Sequence, residues 1–384
     1  MLNLILLTPN AMAAGAIEQL TQEAGVFKIV LNGSPIPHVA NVLRALRAYV
    51  VDVVLLDVGD WESVSLLASQ IQRSGTGALI IGFRADWTPG QQAEMEAAGV
   101  SELLHEPFSP AELESAAYDS LHRHHVVTNR DILAFLPAKA GGGCSTVALN
   151  TAAAVANLQK KVLLVESDRR SGVFSIMLNL KNRFGLSEAL QNVGELTLAE
   201  WNHYYVSAFG MHMLLADPAN RSHLPSWAGY YRLLLFLQGQ YDFLFFDLPE
   251  VVNQATAEVV KSARAIFIVC TPEVPSLKMA SQRFAELEAC EVPAANIHMI
   301  LNRWERGRLG IPDVEKILGR PVFGTLPNDY AGVRESILES RLVALDSDFA
   351  EGCRTLARKL SGLPEAPPVR SGFGLLKKLG RITS

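Results

Sequence analysis

The sequence predicts an α/β protein built from two doubly wound, parallel units, and three observations carry that expectation. Short apolar runs recur along the 384 residues, and helical segments separate them. The runs in the second half lack polar alternation, as strands covered on both faces do. One of them, "DILAFL", feeds a glycine-rich turn and then a small-residue helix, in "LPAKAGGGCSTVALN" at 136–150.

In the first unit, placed at 1–125, the strands are "LNLILL", "VFKIVL", "DVVLLDV", "GALIIGF" and "SELLHEP". Helices between them include "HVANVLRALRAY" and "TPGQQAEMEAAG". Five strands with intervening helices imply a parallel sheet wound in both directions. "LHRHHVVTNRD" breaks the pattern and reads as a solvated connector. Its His122, His124 and His125 lack acidic or cysteine company, which argues against a metal site. The second unit, 126–363, follows with strands at "ILAFLP", "KVLLVES", "MHMLLAD", "DFLFFDLP", "AIFIVCTP", "IHMILNR" and "PVFGTLP". A Pro-rich hinge, "PEAPPVR", leads to a short basic tail within 364–384. A helix there would set Leu375, Leu376, Leu379 and Ile382 opposite Lys377, Lys378 and Arg381, the pattern of a weak interfacial anchor.

Composition bounds the function. A net charge of -5 gives no general reason to expect nucleic-acid binding, and no dense basic patch precedes the tail. Cys144, Cys270, Cys290 and Cys353 have no metal-ligand spacing, so a reducing cytoplasm is expected. "MLNLILLTPN" lacks the basic start and long apolar core of a signal peptide, and no run reaches spanning length.

The chemistry concentrates at 139–146. Gly141, Gly142 and Gly143 let backbone amides approach phosphate oxygens, and the following helix adds its positive end. Ser145 is placed to ligate Mg²⁺ and Thr146 to contact an α-phosphate. Cys144 stands where such loops carry their lysine. Losing that charge costs roughly 1.5–3 kcal/mol of binding, and more of catalysis, where neutralisation of phosphoryl charge dominates.

"KAGGGCST" resembles the deviant Walker A motif of MinD/ParA-type ATPases, whose pattern is K-G-G-x-G-K followed by two hydroxyl residues. The similarity continues in order through "VLLVESDRRSG", "YDFLFFDLPE", "MILNR" and "LPNDY". The resemblance implies ATP and Mg²⁺ as ligands and a homodimer. It also implies Lys139 as the residue that reaches a partner's nucleotide, and Asp168 as the one that orients attacking water. It makes Asp247, with Ser145, the metal residue, and sets Asn302, Arg303 and Pro327 around the base. Glu166 departs from the family's first switch aspartate.

The first unit is similar to a response-regulator receiver stripped of its chemistry. Asp57 falls at the phosphoacceptor position, but Thr8, Pro9 and Asn10 replace the acidic pair, Glu106 the lysine and Phe83 the hydroxyl. An atypical receiver joined to a MinD/ParA-like ATPase resembles the CpaE/TadZ proteins of tight-adherence pilus assembly. That resemblance implies an ATP-binding, dimerising assembly factor at the cytoplasmic side of the inner membrane or a cell pole. Its partners would be pilus or secretion proteins, and hydrolysis would be weak or absent. The alternative is an active ParA/MinD-like ATPase in DNA partitioning or spatial positioning.

Overall fold

The computed structural model describes residues 1–124, 132–216, 225–305 and 309–364. Its strands are β1 (Leu2–Leu7), β2 (Phe27–Gly33), β3 (Val53–Asp57), β4 (Leu79–Arg84) and β5 (Val100–His105) in one sheet. The other sheet takes β6 (Ile132–Pro137), β7 (Val162–Glu166), β8 (Val206–Ala208), β9 (Met211–Leu214), β10 (Phe243–Asp247), β11 (Ala265–Cys270), β12 (Ile297–Trp304) and β13 (Val322–Pro327).

The first sheet runs β2-β1-β3-β4-β5, all parallel, the flavodoxin-like order. The second runs β13-β12-β11-β6-β10-β7-β9-β8 and is parallel except for β8, which pairs antiparallel with β9 at the edge. Apolar runs in the sequence mark every strand but β8, whose three residues are too short for a periodic signal.

Alternation along each strand divides the core. On β6, Ile132, Ala134 and Leu136 face one cluster, while Leu133 and Phe135 face the other with the helix Cys144–Ala156. Leu2, Leu4 and Leu6 of β1 likewise oppose Ile5 and Leu7. Helices therefore cover both faces, as the unbroken apolar runs predicted.

One helix packs into the cores of both sheets. Trp227–Leu237 is apolar all round because it has two cores to fill. Tyr230, Leu233, Leu234 and Leu237 pack under the second sheet, and Trp227, Ala228 and Tyr231 enter the core of the first. Between these faces Arg232 is buried against Asp52 (2.8 Å) and also donates to the carbonyls of Met1 (3.0 Å) and Val50 (3.1 Å). The indole of Trp227 donates to Glu114 at 2.7 Å.

One expectation is corrected here. Residues 121–124 are not a solvated connector, because they complete the helix Pro110–His124. His122 also has acidic company that its sequence neighbours do not show: Nε2 lies 3.0 Å from both oxygens of buried Glu258. Nδ1 lies 2.7 Å from the Tyr118 carbonyl. Burial works against charge here, but an imidazolium donates from both ring nitrogens, so a carboxylate on one side and a carbonyl on the other favour the charged ring, and its pKa is raised. Among the described residues no group of His, Cys, Asp or Glu is arranged to hold a metal in the manner of a multi-ligand cluster. His125, the hinge and the basic tail lie outside the described residues. Among those described, no helix is long and apolar enough to cross a membrane.

Candidate functional site

The site gathers at the C-terminal ends of β6, β7, β10 and β12, where a parallel sheet leaves its crevice. β6 delivers the chain into the turn 138–143, and the helix Cys144–Ala156 leaves it. Two glycines are required by backbone shape: Gly141 has φ +80° and Gly143 φ +86°. A Cβ on Gly143 would also meet the Asn302 amide at 2.5 Å. Gly143 offers the helix no side-chain cap, so the first-turn amides stay directed at the crevice.

β12 supports the turn from the side. Asn302 Nδ2 donates to the Gly142 carbonyl and Arg303 to the Gly141 carbonyl, both at 2.9 Å. Arg303 takes φ +55° to do so. Gly143, Thr146, Asn302, Arg303, Pro327 and Tyr330 border a cavity of about 50 Å³ on that flank. On the other flank Lys139, Gly142, Thr271, Glu273 and Arg303 border one of about 330 Å³. Lys139 is exposed at its rim. Larger cavities lie elsewhere, about 450 Å³ beside Asp57 and about 380 Å³ between the helices 144–156 and 348–360. Neither touches the glycine turn, so size does not locate the chemistry.

β10 ends at Asp247, which is buried with Oδ1 lacking any partner. Burial pushes its carboxyl up to about 7; the facing Ser145 hydroxyl and Cys144 thiol pull it down, while Glu166 and Asp168 push it up further. Cys144 is buried too, and burial followed by the Asp247 charge holds its thiol well above the usual range. It is a neutral, protonated side chain and not a nucleophile.

Glu166, the last residue of β7, is tied up by backbone amides. Oε1 accepts the amides of Val173 (2.5 Å) and Phe174 (2.7 Å), and Oε2 that of Ala216 (2.9 Å). Burial raises its carboxyl and these three donors oppose the rise. It ties the segment after β7 to the end of β9. Asp168 caps the next turn, with Oδ1 accepting from Arg170 (3.1 Å) and Ser171 (2.9 Å).

The structure thus brings Cys144, Ser145, Asp247, Glu166 and Asp168 together under the glycine turn, with Asn302, Arg303 and Pro327 beside it and Lys139 outside. It adds a residue that no sequence motif singles out. Glu250, three places after Asp247, accepts the Ala140 amide at 3.1 Å through Oε2. Its Oε1 lies 3.5 Å from Arg283, a guanidinium 6% exposed. No local pattern marks the contact, because Ala140 and Glu250 stand 110 residues apart.

The likeness to known proteins agrees with this geometry. No family model matches the chain. It is 26% identical over 242 residues to a putative septum site-determining protein MinD of Emiliania huxleyi, covering 60% of this chain and 87% of that one. A ParA family ATPase from Chlorobium tepidum superposes with a TM-score of 0.56 at 22% identity, over 60% of this chain and 99% of its own. The MinC:MinD cell division complex of Aquifex aeolicus gives 0.52 at 23%, over 62% and 98%. About 60% of the chain is homologous to MinD/ParA-family P-loop ATPases and shares their α/β fold.

Proposed function

We propose that this protein is an ATP-binding, dimerising localisation and assembly factor for a tight-adherence pilus or a related secretion machine, with weak or absent hydrolysis. One observation supports the nucleotide half: the turn holds Gly141 and Gly143 at positive φ at the foot of a helix, while the position of its expected cation holds the buried, neutral thiol of Cys144. Amides from Gly141 to Thr146 would receive the phosphates. Asn302 and Arg303 would fix the turn and, with Pro327, border the base. Lys139, exposed at the rim, would meet a second copy's nucleotide, and Asp168 would face the attacking water.

Mg²⁺ fits the residues present. The Asp247 Oδ1 is buried without a partner and the Ser145 hydroxyl faces that carboxylate. A buried carboxylate in this state gains most from a cation. Asp247 and Ser145 would hold the ion, which would supply positive charge to the phosphates.

The pilus half rests on the pairing of the two units. Among the described residues no group of three or more His, Cys, Asp or Glu side chains that could hold a metal forms at Asp57; its carboxylate accepts the Thr8 hydroxyl at 2.8 Å and the Gly59 amide at 2.9 Å. We read the first unit as a receiver-like docking module, not a phosphorylation switch.

Calorimetry with Mg-ATP, with mass followed by light scattering, tests the reading. Expected are saturable binding, a monomer-to-dimer shift and turnover far below one per second. Cys144→Lys should tighten binding by about tenfold or more, the value of one charge-assisted contact. No binding by either protein sinks the proposal; turnover of several per second by the natural chain removes its weak-hydrolysis half.

A further inference from the structure

We propose that Glu250 and Arg283 are an internal stand-in for a phosphate and for the cation missing at position 144. On this view, nucleotide binding exchanges the Glu250 carboxylate for an oxygen of the terminal phosphate and leaves Arg283 facing that phosphate. The inference deepens the proposed function and rests on its reading of the glycine turn as a nucleotide site.

Four observations support it. Glu250 Oε2 accepts the Ala140 amide at 3.1 Å, so a carboxylate already sits on a donor of the turn. Amides in such a turn favour any anion, and a carboxylate oxygen is a fair substitute for a phosphoryl one. The other oxygen of Glu250 lies 3.5 Å from the Arg283 guanidinium, which is 6% exposed. A cation buried that far needs an anion close by in every state of the protein.

The remaining donors of Arg283 are unequally used. Nη1 donates to Glu286, whereas Nε is buried with no partner at all. That leaves an unused donor on the guanidinium beside Glu250, capacity for a ligand with several acceptor oxygens, which a carboxylate does not fill and a phosphoryl group does. Charge points the same way. Glu250, Glu286 and Arg283 together carry -1, and a phosphate arriving beside an unmoved Glu250 would meet repulsion. Exchange of one anion for the other keeps the Glu250 side of Arg283 occupied, while Glu286 holds its other side. The rest of the turn supplies no other buried cation: Cys144 is neutral and Lys139 stands exposed outside.

A double-mutant cycle on the full chain decides it, with Mg-ATP and Mg-ADP as calorimetric probes. Glu250→Gln should tighten Mg-ATP by about tenfold, since an amide competes poorly for the Ala140 donor and repels no phosphate. Arg283→Gln should weaken Mg-ATP by about tenfold, and the loss should persist when Glu250 is already Gln. Mg-ADP should respond less to both. If Arg283→Gln costs nothing in the Glu250→Gln background, Arg283 merely partners Glu250 and the proposal is overturned. Unchanged or weaker Mg-ATP binding by Glu250→Gln overturns it as well. Should Arg283→Gln fail to fold, Arg283→Lys keeps a charge without the fork. A loss in Mg-ATP affinity above that in Mg-ADP then supports the proposal, and equal losses overturn it. Absence of binding by the natural chain and by Cys144→Lys alike would instead remove the nucleotide site itself.

Discussion

Asp57 and Asp247 stand in the same kind of place and meet opposite fates. Each is the last residue of an interior parallel strand, β3 in one sheet and β10 in the other. Around Asp57 the protein has supplied its own partners: the Thr8 hydroxyl on one oxygen and the Gly59 amide on the other. Around Asp247 it supplies less: the Ser145 hydroxyl and the Cys144 thiol face the carboxyl, while Oδ1 is buried with no partner beneath the glycine turn. A carboxylate closed by neutral donors needs no ligand. One with a bare oxygen in a low-dielectric pocket carries a cost that a cation or a proton relieves. The first site is finished as it folds; the second is unfinished.

The largest effect should come from altering the unfinished site. Asp247→Asn is expected to weaken Mg-ATP by roughly ten- to a hundredfold, the value of a contact to a charged group. The ligand-free protein should lose no stability, because the substitution removes a buried carboxylate that has no partner on Oδ1. Calorimetry with and without Mg²⁺, paired with a thermal melt, reads both quantities. A melt lowered by several degrees in the ligand-free state would mean that Asp247 already has its partners, and the contrast with Asp57 would fail.

An intermediate effect is expected where the two units meet. Burial by itself would lower the His122 imidazolium, but the Glu258 carboxylate outweighs it and the folded-state value is raised. The groups facing the ring are Glu258 and Lys261 of the helix Gln254–Ser262, and Tyr118 and Tyr231, of which Lys261 opposes the rise. A base raised on folding gives stability that is complete below its unfolded value of about 6.5 and is lost as pH climbs through the higher folded value. Denaturation midpoints should therefore fall as pH rises above about 6.5. His122→Gln should flatten that part of the curve. An unchanged slope in the variant would show that the contact holds no proton.

Much of this arrangement was legible in the sequence, and what was not follows one rule. Strands β1 to β7 and β9 to β13, the glycine turn, Cys144, Ser145 and Asp247 were read because each is a local pattern: an apolar run, a turn, a residue at a strand end. The roles of Glu250 and Arg283 were not, since their contacts join residues 110 and 33 positions apart. His122 was misread for the same reason, its acidic partner lying 136 residues away. The run "WAGYYRLLLFL" was never marked as shared, although its lack of a polar face was on view. A helix apolar all round signals two neighbours, and the buried Arg232 within it signals an acidic partner, without naming either. Glu166, noted only as a departure from the family's first switch aspartate, spends both oxygens on backbone amides 7, 8 and 50 positions away, which no local pattern shows.

The smallest effect should come from the finished site, and its smallness is the sharpest check on the contrast. In Asp57→Asn the side-chain oxygen can still accept the Gly59 amide, and the new amide group turns toward Thr8. The Thr8 hydroxyl already accepts the Asn10 amide at 3.2 Å and has a second lone pair to offer. Both original contacts are thereby replaced. Loss of the charge also helps Glu106, whose carboxyl is raised first by burial and then by Asp57, so the folded state gains slightly above the carboxylate range. The net change in stability should stay within about 0.5 kcal/mol, as for substitutions that disturb no buried network. Mg-ATP affinity should be that of the natural chain, and acetyl phosphate should label neither protein at position 57. A stability loss of about 2 kcal/mol or more would mean that the Asp57 charge itself is built into the fold. Stoichiometric labelling of the natural chain would go further, because it would need an Asp57 oxygen to leave the Thr8 hydroxyl or the Gly59 amide that now holds it.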